Sequence, residues 1–201
     1  MKRFCWLWVA LVWVANPAGA AQAREAVVPA WRTNAVTNEI LVANEEWLDA
    51  KRGRTVPVKI YAPKSQAGAF PVIIFSHGLG GSRDGYEYLG QCWAAHGYVA
   101  VHLQHAGSDD SVWKDAGVGQ RMGAMRRAAA QPRNAMDRVQ DVSFAIDELT
   151  RLNATNSPWH AKLDLKRIGV AGHSFGAHTT LATAGAAYSG RSAAGIGDPR
   201  V

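Results

Sequence analysis

The stretch Gly169-Val170-Ala171-Gly172-His173-Ser174-Phe175-Gly176-Ala177-His178 decides the fold. It contains the pattern G-x-S-x-G, directly after the apolar run Ile168–Ala171 and directly before a segment rich in small residues. A serine hydroxyl protrudes at the carboxyl end of a strand only if the chain turns sharply into a helix, and a glycine on either side leaves room for that turn. The stretch therefore predicts a strand, a strained turn and a helix, with Ser174 as a nucleophile.

A second glycine-rich turn, Ser76–Gly81, follows the apolar run Phe70–Phe75. That run is short, continuous and rich in β-branched residues, which is typical of a strand buried on both faces. Acyl transfer to a serine needs two N–H donors for the oxyanion. One is expected from the residue after the nucleophile and the other from the loop after an early strand. The backbone amides of Phe175 and Leu79 are therefore the predicted donors.

Strand and helix patterns alternate along the chain, which predicts an α/β domain with a mostly parallel sheet flanked by helices. Val99–Leu103 is a further predicted strand, and Tyr86–His96 is a predicted helix that ends at Gly97. A longer helix is predicted from Met136 to Leu152, with Asn134 as its N-cap. Its apolar stripe has steps of three and four and consists of Met136, Val139, Val142, Ile146 and Leu149.

Three other segments have weaker patterns. Residues 24–54 are interpreted as turn-rich, ending in the charged run Asp49–Arg54. Val56–Tyr61 is predicted to be a strand near a sheet edge, because Pro57 cannot donate to a ladder. Residues 106–131, which include Trp113, are predicted to be a loop that shapes the substrate pocket, since α/β folds bind ligands after the carboxyl ends of strands.

The first twenty residues are predicted to be a secretory signal peptide. A basic start, Met1-Lys2-Arg3, precedes twelve uncharged residues and then a small-residue segment with cleavage expected after Ala20 or Ala23. Twelve apolar residues are too few to span a bilayer, so no stable membrane anchor is expected. The protein is therefore expected to be exported, to a periplasm or beyond, and residues 24–201 to form one domain.

The charge of the chain argues against nucleic-acid binding. Removing residues 1–20 leaves 20 basic and 16 acidic residues, a net charge of +4, which is a mild excess. An arginine cluster is interpreted as a solvated face or a helix end, and it consists of Arg121, Arg126, Arg127, Arg133 and Arg138. Cys92 is the one cysteine after the signal peptide and is expected to be buried, although pairing with a cysteine beyond residue 201 is an alternative. No metal-ligand spacing is present.

Several segments resemble the platelet-activating-factor acetylhydrolases and the bacterial dienelactone-hydrolase-like proteins of the α/β-hydrolase superfamily. They are Phe75–Asp84, Gly97–Val101, Gly107-Ser108-Asp109 after His105, and Asp141–Phe144. The resemblance extends over roughly residues 45–201. It implies hydrolysis of a small-molecule carboxyl ester through an acyl-enzyme on Ser174, oxyanion amides from Leu79 and Phe175, and no metal or organic cofactor.

The chain departs from this family pattern at the catalytic base. In the fold, the acid and then the histidine follow the serine along the chain, whereas every histidine here lies at or before position 178. His102 and His105 are expected near the pocket. Six histidines lie at positions where the base is not expected, namely His77, His96, His102, His105, His173 and His178. Asp198 is interpreted as part of a turn and left uncommitted as the acid. The acid, the base and the last strands of the sheet are expected beyond Val201.

Two kinds of alternative remain open at this point. A thioesterase, a peptidase or a polyester hydrolase would use the same serine machinery. A non-catalytic binding protein on a hydrolase scaffold is the alternative if the chain is complete at residue 201. The acyl chain length and the oligomeric state have no signal in the sequence.

Overall fold

The computed structural model describes residues 38–65, 68–186 and 196–201. The predicted signal peptide and both of its cleavage sites lie outside these ranges. The described chain forms a five-stranded sheet with helices on both faces. In chain order the elements are β1 (Ile40–Asp49), β2 (Arg54–Pro63), β3 (Phe70–Ser76), α1 (Glu87–Ala95), β4 (Val99–Leu103), α2 (Ser111–Lys114), a 3₁₀ turn (Val118–Gln120), α3 (Arg121–Ala129), α4 (Pro132–Ala154), β5 (Leu163–Gly172) and α5 (Phe175–Thr183).

The sheet is mixed, with the strand order β1-β2-β4-β3-β5. Strand β3 is parallel to both β4 and β5, while β2 is antiparallel to β1 and β4. Strand β2 therefore runs opposite to the other four, and the predicted mostly parallel α/β sheet is confirmed. The carboxyl ends of β3, β4 and β5 meet at one edge, which brings together the loops that follow these strands.

The core lies on both faces of the sheet. On one face, α4 packs against the strands through the predicted stripe, and Val142, Ile146 and Leu149 are fully buried. On the other face, α1 packs so closely that a Cβ on Gly90 would overlap the Tyr61 ring. The apolar runs of β3 and β4 are therefore covered from both sides, as the sequence pattern requires. The run Ile168–Ala171 is not, because β5 is an edge strand of the described sheet, with Gly169 exposed and Ile168 and Val170 half-buried.

The first two strands had different outcomes. Strand β2, which contains Pro57, lies near the sheet edge as predicted, although it is not the edge itself, because β1 pairs along its whole length. The pairing of β2 with β4 covers only Val58–Tyr61, so the missing N–H of Pro57 lies outside that ladder. Strand β1 was interpreted as turn-rich chain. It is an edge strand in which Leu41, Val42 and Leu48 are exposed, and such a strand shows little of the alternation that burial imposes.

The start of α4 also differs from the prediction. The helix begins at Pro132, a residue suited to a first turn because its missing N–H would lack a helical partner there. Asn134 is therefore not the N-cap. It is buried, and its Nδ2 donates to the carbonyl oxygens of Gly107 (2.9 Å) and Ala128 (2.8 Å). Met136, the first residue of the predicted stripe, is 41% exposed.

Two further regions were misjudged from composition. Cys92 is exposed on α1 rather than buried, with its Sγ 3.9 Å from His96 Nδ1. Residues 106–131 are not a plain loop, because they contain α2, the 3₁₀ turn and α3. Of the helices in the described ranges, none is long and apolar enough to cross a membrane.

Candidate active site

Ser174 occupies a strained turn between β5 and α5. Its backbone has φ 53° and ψ −114°, a conformation that residues with a side chain rarely adopt. The residue is exposed, and α5 begins directly after it at Phe175. The strand–turn–helix predicted from the sequence is therefore present. The positive end of the α5 dipole lies beside the serine, where it favours negative charge.

The two glycines of the motif leave no space for a side chain. A Cβ on Gly176 would overlap the carbonyl oxygen of Ser76, and a Cβ on Gly172 would overlap the backbone of Gly176. The turn thus packs directly on the end of β3. The spacing seen in the sequence is explained by this close approach of one backbone to another.

The segment Ser76–Gly81, called here the glycine turn, lies against the strained serine. The N–H of His173 donates to the carbonyl oxygen of Ser76 at 3.3 Å. A Cβ on Gly78 would lie 3.1 Å from His173 Nδ1 and 3.5 Å from Ser174 Cβ. The fold therefore brings together the two glycine-rich motifs that are nearly a hundred residues apart in the sequence.

The His77 ring fixes the direction of the peptide between Gly78 and Leu79. His77 Nε2 accepts the N–H of His105 at 3.1 Å, so the neutral ring carries its proton on Nδ1 and donates it to the Gly78 carbonyl at 2.6 Å. Burial lowers the pKa of His77 to about 4, which keeps the ring neutral at pH 7. In a trans peptide the N–H points opposite to the C=O, so the N–H of Leu79 points away from His77.

The N–H groups of Leu79 and Phe175 are both unpaired among the described residues. For Phe175 this follows from its place at the first position of a helix, where the N–H has no partner in the preceding turn. These are the two amides that the sequence predicts as oxyanion donors. The structure places them on the two segments that meet at Ser174.

The expectation that His102 and His105 line the pocket was wrong, because both side chains are fully buried. His102 lies within an aromatic cluster, with ring-centre distances of 4.8 Å to Phe75 and 5.0 Å to Tyr61. Burial lowers the pKa of His102 to about 4. His102 lies near the end of β4 and His105 follows it, and the adjoining helices and loops bury both side chains. The position of a residue in the sequence does not reveal this burial.

His105 instead joins a buried relay. Its Nε2 lies 2.8 Å from Ser76 Oγ and its Nδ1 lies 2.9 Å from Asp141 Oδ2. The carboxylate of Asp141 also forms ion pairs with Arg52 at 2.7 Å and with Arg54 at 3.2 Å. Burial and nearby arginines hold the pKa of His105 well below its usual value. The relay links β3, the loop after β4 and helix α4.

The remaining histidines do not complete a catalytic relay on Ser174. Within the described ranges, no hydrogen bond joins Ser174 Oγ to a histidine ring. His173 is exposed beside the serine, and its Nδ1 lies 2.6 Å from the hydroxyl of Tyr86. His178 is exposed on α5, and His96 is exposed just after α1.

Asp198 lies at the far end of α5 from the serine. Its N–H donates to the carbonyl oxygen of Thr183 at 2.8 Å, which places it about 14 Å from Ser174 along a nine-residue helix. The carboxylate is held by Arg200 at 2.6 Å, and this contact lowers the pKa of Asp198. Asp198 is therefore occupied as an ion-pair partner in a turn.

Arg138 is the residue near the site that the sequence interpretation missed. It was assigned to a solvated arginine cluster, but its side chain is fully buried. Its guanidinium donates to Ser108 Oγ at 2.8 Å, Thr179 Oγ1 at 2.9 Å, Ser76 Oγ at 3.0 Å and the carbonyl oxygen of His77. The sequence did contain a sign of this burial, because Arg138 lies four positions before Val142 and therefore on the buried stripe of α4.

The described residues form two openings, of which the larger adjoins Phe175. An apolar groove of about 490 Å³ runs between α4 and α5 and is bordered by Met136, Val139, Phe175, His178 and Ile196 among others. A smaller cavity of about 370 Å³ is bordered by Gly107 and by residues of α3. Trp113 reaches from the segment 106–131 to the glycine turn, where its Nε1 donates to the carbonyl oxygen of Gly80 at 2.7 Å. The described residues hold no cluster of three or more metal-ligating side chains.

Comparisons with known proteins agree with the resemblance found in the sequence. A family model described as platelet-activating factor acetylhydrolase, isoform II, matches residues 43–128. The platelet-activating factor acetylhydrolase of Cavia porcellus is 26% identical over 151 residues, which cover 64% of this chain and 35% of that protein. The enzyme of the same name from Canis lupus familiaris is 24% identical over 153 residues, which cover 63% of this chain and 34% of that protein.

A solved structure shares the fold. The ferulic acid esterase from Streptomyces cinnamoneus superposes with a TM-score of 0.55 at 19% identity, covering 76% of this chain and 56% of that one. The chain spans about a third of the length of the curated relatives it matches. The chain is thus similar to acetylhydrolases in sequence, and the α/β-hydrolase-like fold predicted from the motifs is confirmed.

Proposed function

We propose that this chain carries the nucleophile and the oxyanion donors of a serine hydrolase that cleaves a small-molecule carboxyl ester through an acyl-enzyme. The observation that carries the proposal is the strained backbone of Ser174, wedged between β5 and α5 by two glycines that tolerate no Cβ. Such strain persists only where the surrounding structure enforces it, and it is typical of functional sites. The exposed hydroxyl stands at the meeting point of the two glycine-rich motifs.

The proposed reaction has two acyl-transfer steps. Ser174 Oγ attacks the ester carbonyl carbon while its proton passes to a histidine base, and the carbonyl oxygen becomes an oxyanion. The N–H groups of Leu79 and Phe175 donate to that oxyanion. The intermediate collapses, the ester C–O bond breaks, and the base returns the proton to the leaving alcohol. Water then attacks the acyl-serine by the same route and releases the carboxylic acid and free Ser174.

The proposal leaves the acid and the base of this mechanism unassigned. In the α/β-hydrolase order both follow the nucleophile, and no histidine ring within the described residues hydrogen-bonds to Ser174 Oγ. The proposal therefore assigns the described chain one half of the machinery. A serine without its base retains only the catalysis that its oxyanion donors and substrate binding supply.

The names of the similar proteins favour an ester substrate. The sequence relatives are acetylhydrolases and the structural neighbour is a ferulic acid esterase. An acetyl ester or another acyl ester is accordingly the first substrate class to test. Rates on matched esters, thioesters, amides and polyesters would separate this function from the thioesterase, peptidase and polyester-hydrolase alternatives.

Export through residues 1–20 is the second part of the proposal. Its support is the basic start, the short apolar stretch and the small-residue end of that segment. N-terminal sequencing of the protein recovered outside the cytoplasm should begin at Ala21 or at Arg24. An intact Met1 on the exported protein would contradict cleavage at these sites.

The experiment that tests the catalytic proposal is labelling by a fluorophosphonate probe, in this chain and in the full open reading frame. We expect the full frame to be labelled and Ser174→Ala to abolish the label. Ser157→Ala is the matched control. It also removes a serine hydroxyl, one that makes two hydrogen bonds, but at the opposite end of the sheet from Ser174. Absence of label in the folded full-length protein would overturn the proposal, and labelling of residues 1–201 alone would place a base within them.

A further inference from the structure

Arg138 is an unusual core residue because it is a fully buried cation whose hydrogen-bond acceptors are all neutral oxygens. Among the described residues no carboxylate lies within 4 Å of its guanidinium. Asp141, which is on α4 like Arg138, pairs instead with Arg52 and Arg54. Burial lowers the pKa of Arg138 to about 9. A buried charge without a paired carboxylate is costly unless hydrogen bonds compensate for the lost water. The four acceptors of Arg138 supply that compensation.

These acceptors belong to the segments that meet at the serine. The glycine turn contributes Ser76 Oγ and the carbonyl oxygen of His77, the loop after β4 contributes Ser108, and α5 contributes Thr179. A planar guanidinium holds its donors in a fixed fork. One rigid group therefore sets the relative positions of the glycine turn and α5.

On the glycine-turn side, the contacts continue to the Leu79 amide. Arg138 fixes the carbonyl of His77, and the His77 ring fixes the carbonyl of Gly78 at 2.6 Å. The peptide that contains the Leu79 N–H and the peptide before it are thus both held by buried donors. A rotation of either peptide would turn this N–H away from its present direction.

On the helix side, the contacts lead to Phe175. The guanidinium carbon of Arg138 lies 4.7 Å from the centre of the Phe175 ring. Thr179 Oγ1 accepts from Arg138 Nε and donates to the carbonyl oxygen of Phe175 at 3.1 Å. Arg138 thus contacts the residue that carries the second unpaired N–H both directly and through Thr179.

We infer that Arg138 is a positioning residue that sets the separation and direction of the Leu79 and Phe175 amides as one oxyanion site. The inference rests on the proposed function and deepens it. Arg138 does not touch the reacting atoms, and its effect passes through His77, Phe175 and Thr179. Preorganised donors stabilise the transition state far more than the ground state, so the loss of Arg138 should lower kcat more than it changes KM.

The test compares Arg138→Met with wild type in the full-length protein on a p-nitrophenyl ester and its thionoester. Sulfur accepts hydrogen bonds weakly, so the thionoester gains little from correctly placed amides. We expect kcat on the ester to fall about 10²-fold, by analogy with the loss of one oxyanion donor, with KM changed less than about threefold. The ester-to-thionoester ratio of kcat/KM should fall at least about tenfold. An unchanged ratio would overturn the inference.

The controls separate positioning from stability. Arg133→Met removes an 87% exposed arginine from the same helix and should leave both rates unchanged. If Arg138→Met does not fold, Thr179→Val decides, because it removes one link of the network at almost constant volume. It should lower the ester-to-thionoester ratio about threefold, and an unchanged ratio again contradicts the inference. Full activity of Ser174→Ala would instead refute the proposed function itself.

Discussion

Two serines at the ends of neighbouring strands have opposite surroundings. Ser174 follows β5 in a strained, exposed turn, and its hydroxyl has no hydrogen-bond partner among the described side chains. Ser76 ends β3, is fully buried, and lies 2.8 Å from His105, whose other nitrogen lies 2.9 Å from Asp141. The buried serine thus has the serine–histidine–carboxylate connectivity of a catalytic triad, while the exposed serine has the strained backbone on which the proposed function rests.

The difference shows that connectivity alone does not make a nucleophile. Ser76 Oγ accepts a hydrogen bond from Arg138 at 3.0 Å, so its own proton is directed to His105 Nε2. The low pKa of His105, caused first by burial, makes its neutral ring a weaker base than an ordinary histidine. A substrate cannot reach a fully buried hydroxyl. The Ser76 relay is therefore interpreted as structural, joining β3 to α4 beneath the proposed site.

The largest expected effect comes from exchanging the two serines for alanine in the full-length protein. Ser174→Ala should lower kcat on an ester by about 10⁶-fold with unchanged stability, since removing a nucleophile removes the mechanism. Ser76→Ala should lower kcat by less than about tenfold but destabilise the fold by about 1–3 kcal/mol, because buried partners lose a hydrogen bond. Initial rates and urea midpoints measure both quantities. Equal loss of activity in the two variants would break the comparison.

The next effect concerns the carboxylate of the buried relay. Asp141→Asn removes a charge that pairs with Arg52 and Arg54 and accepts a hydrogen bond from His105, and breaking a buried ion pair typically costs about 3–5 kcal/mol. The control is Asp147→Asn, because Asp147 is 60% exposed and pairs with Arg200 at the surface, where such pairs contribute below about 1 kcal/mol. Urea unfolding of both variants provides the measurement. Similar midpoints for the two would contradict a structural role for the relay.

A smaller effect on stability is expected when the glycine two residues after Ser174 is replaced. Gly176→Ala would force the turn away from the Ser76 carbonyl, and overpacking of this kind costs about 1–3 kcal/mol. Gly169→Ala is a matched control on β5, because no atom lies within 4 Å of its would-be Cβ. Fluorophosphonate labelling should be lost in Gly176→Ala and retained in Gly169→Ala. Retention of full labelling in Gly176→Ala would show that the strained turn is not required.

The last effect is a pH dependence that arises in the buried region and is absent at pH 7. Burial lowers the pKa of His77 and of His102 to about 4, below the value of about 6.5 in the unfolded chain. Between these values the unfolded state binds more protons, so stability is complete above about pH 6.5 and falls as the pH falls towards 4. His102→Gln should flatten this fall by at most about 1.4 kcal/mol for each unit by which the pKa is lowered. The measurement is the urea midpoint of wild type and of His102→Gln at pH 7.5 and at pH 4.5. If the two proteins lose the same stability between these pH values, His102 does not contribute.

The sequence predicted the elements whose signals are local. The strand, turn and helix around Ser174 follow from two glycines and an apolar run within ten residues, and β4 was predicted with the bounds it has, Val99–Leu103. The helix α4 was found from its stripe, although its first turn was missed because Pro132 rather than Asn134 begins it. Strand β1 was missed because an edge strand with exposed Leu41 and Leu48 carries no clear alternation.

Only the tertiary structure decided which polar residues meet. His105, Asp141 and Arg138 contact their partners across 29, 36 and 62 residues of chain, and each was assigned from composition or position to a pocket, a family motif or a solvated face. A residue's backbone conformation is limited by its immediate neighbours, so the strained turn at Ser174 could be inferred from the letters around it. Burial and hydrogen bonding are set by whatever the fold packs against a side chain, and that information is spread over the whole domain.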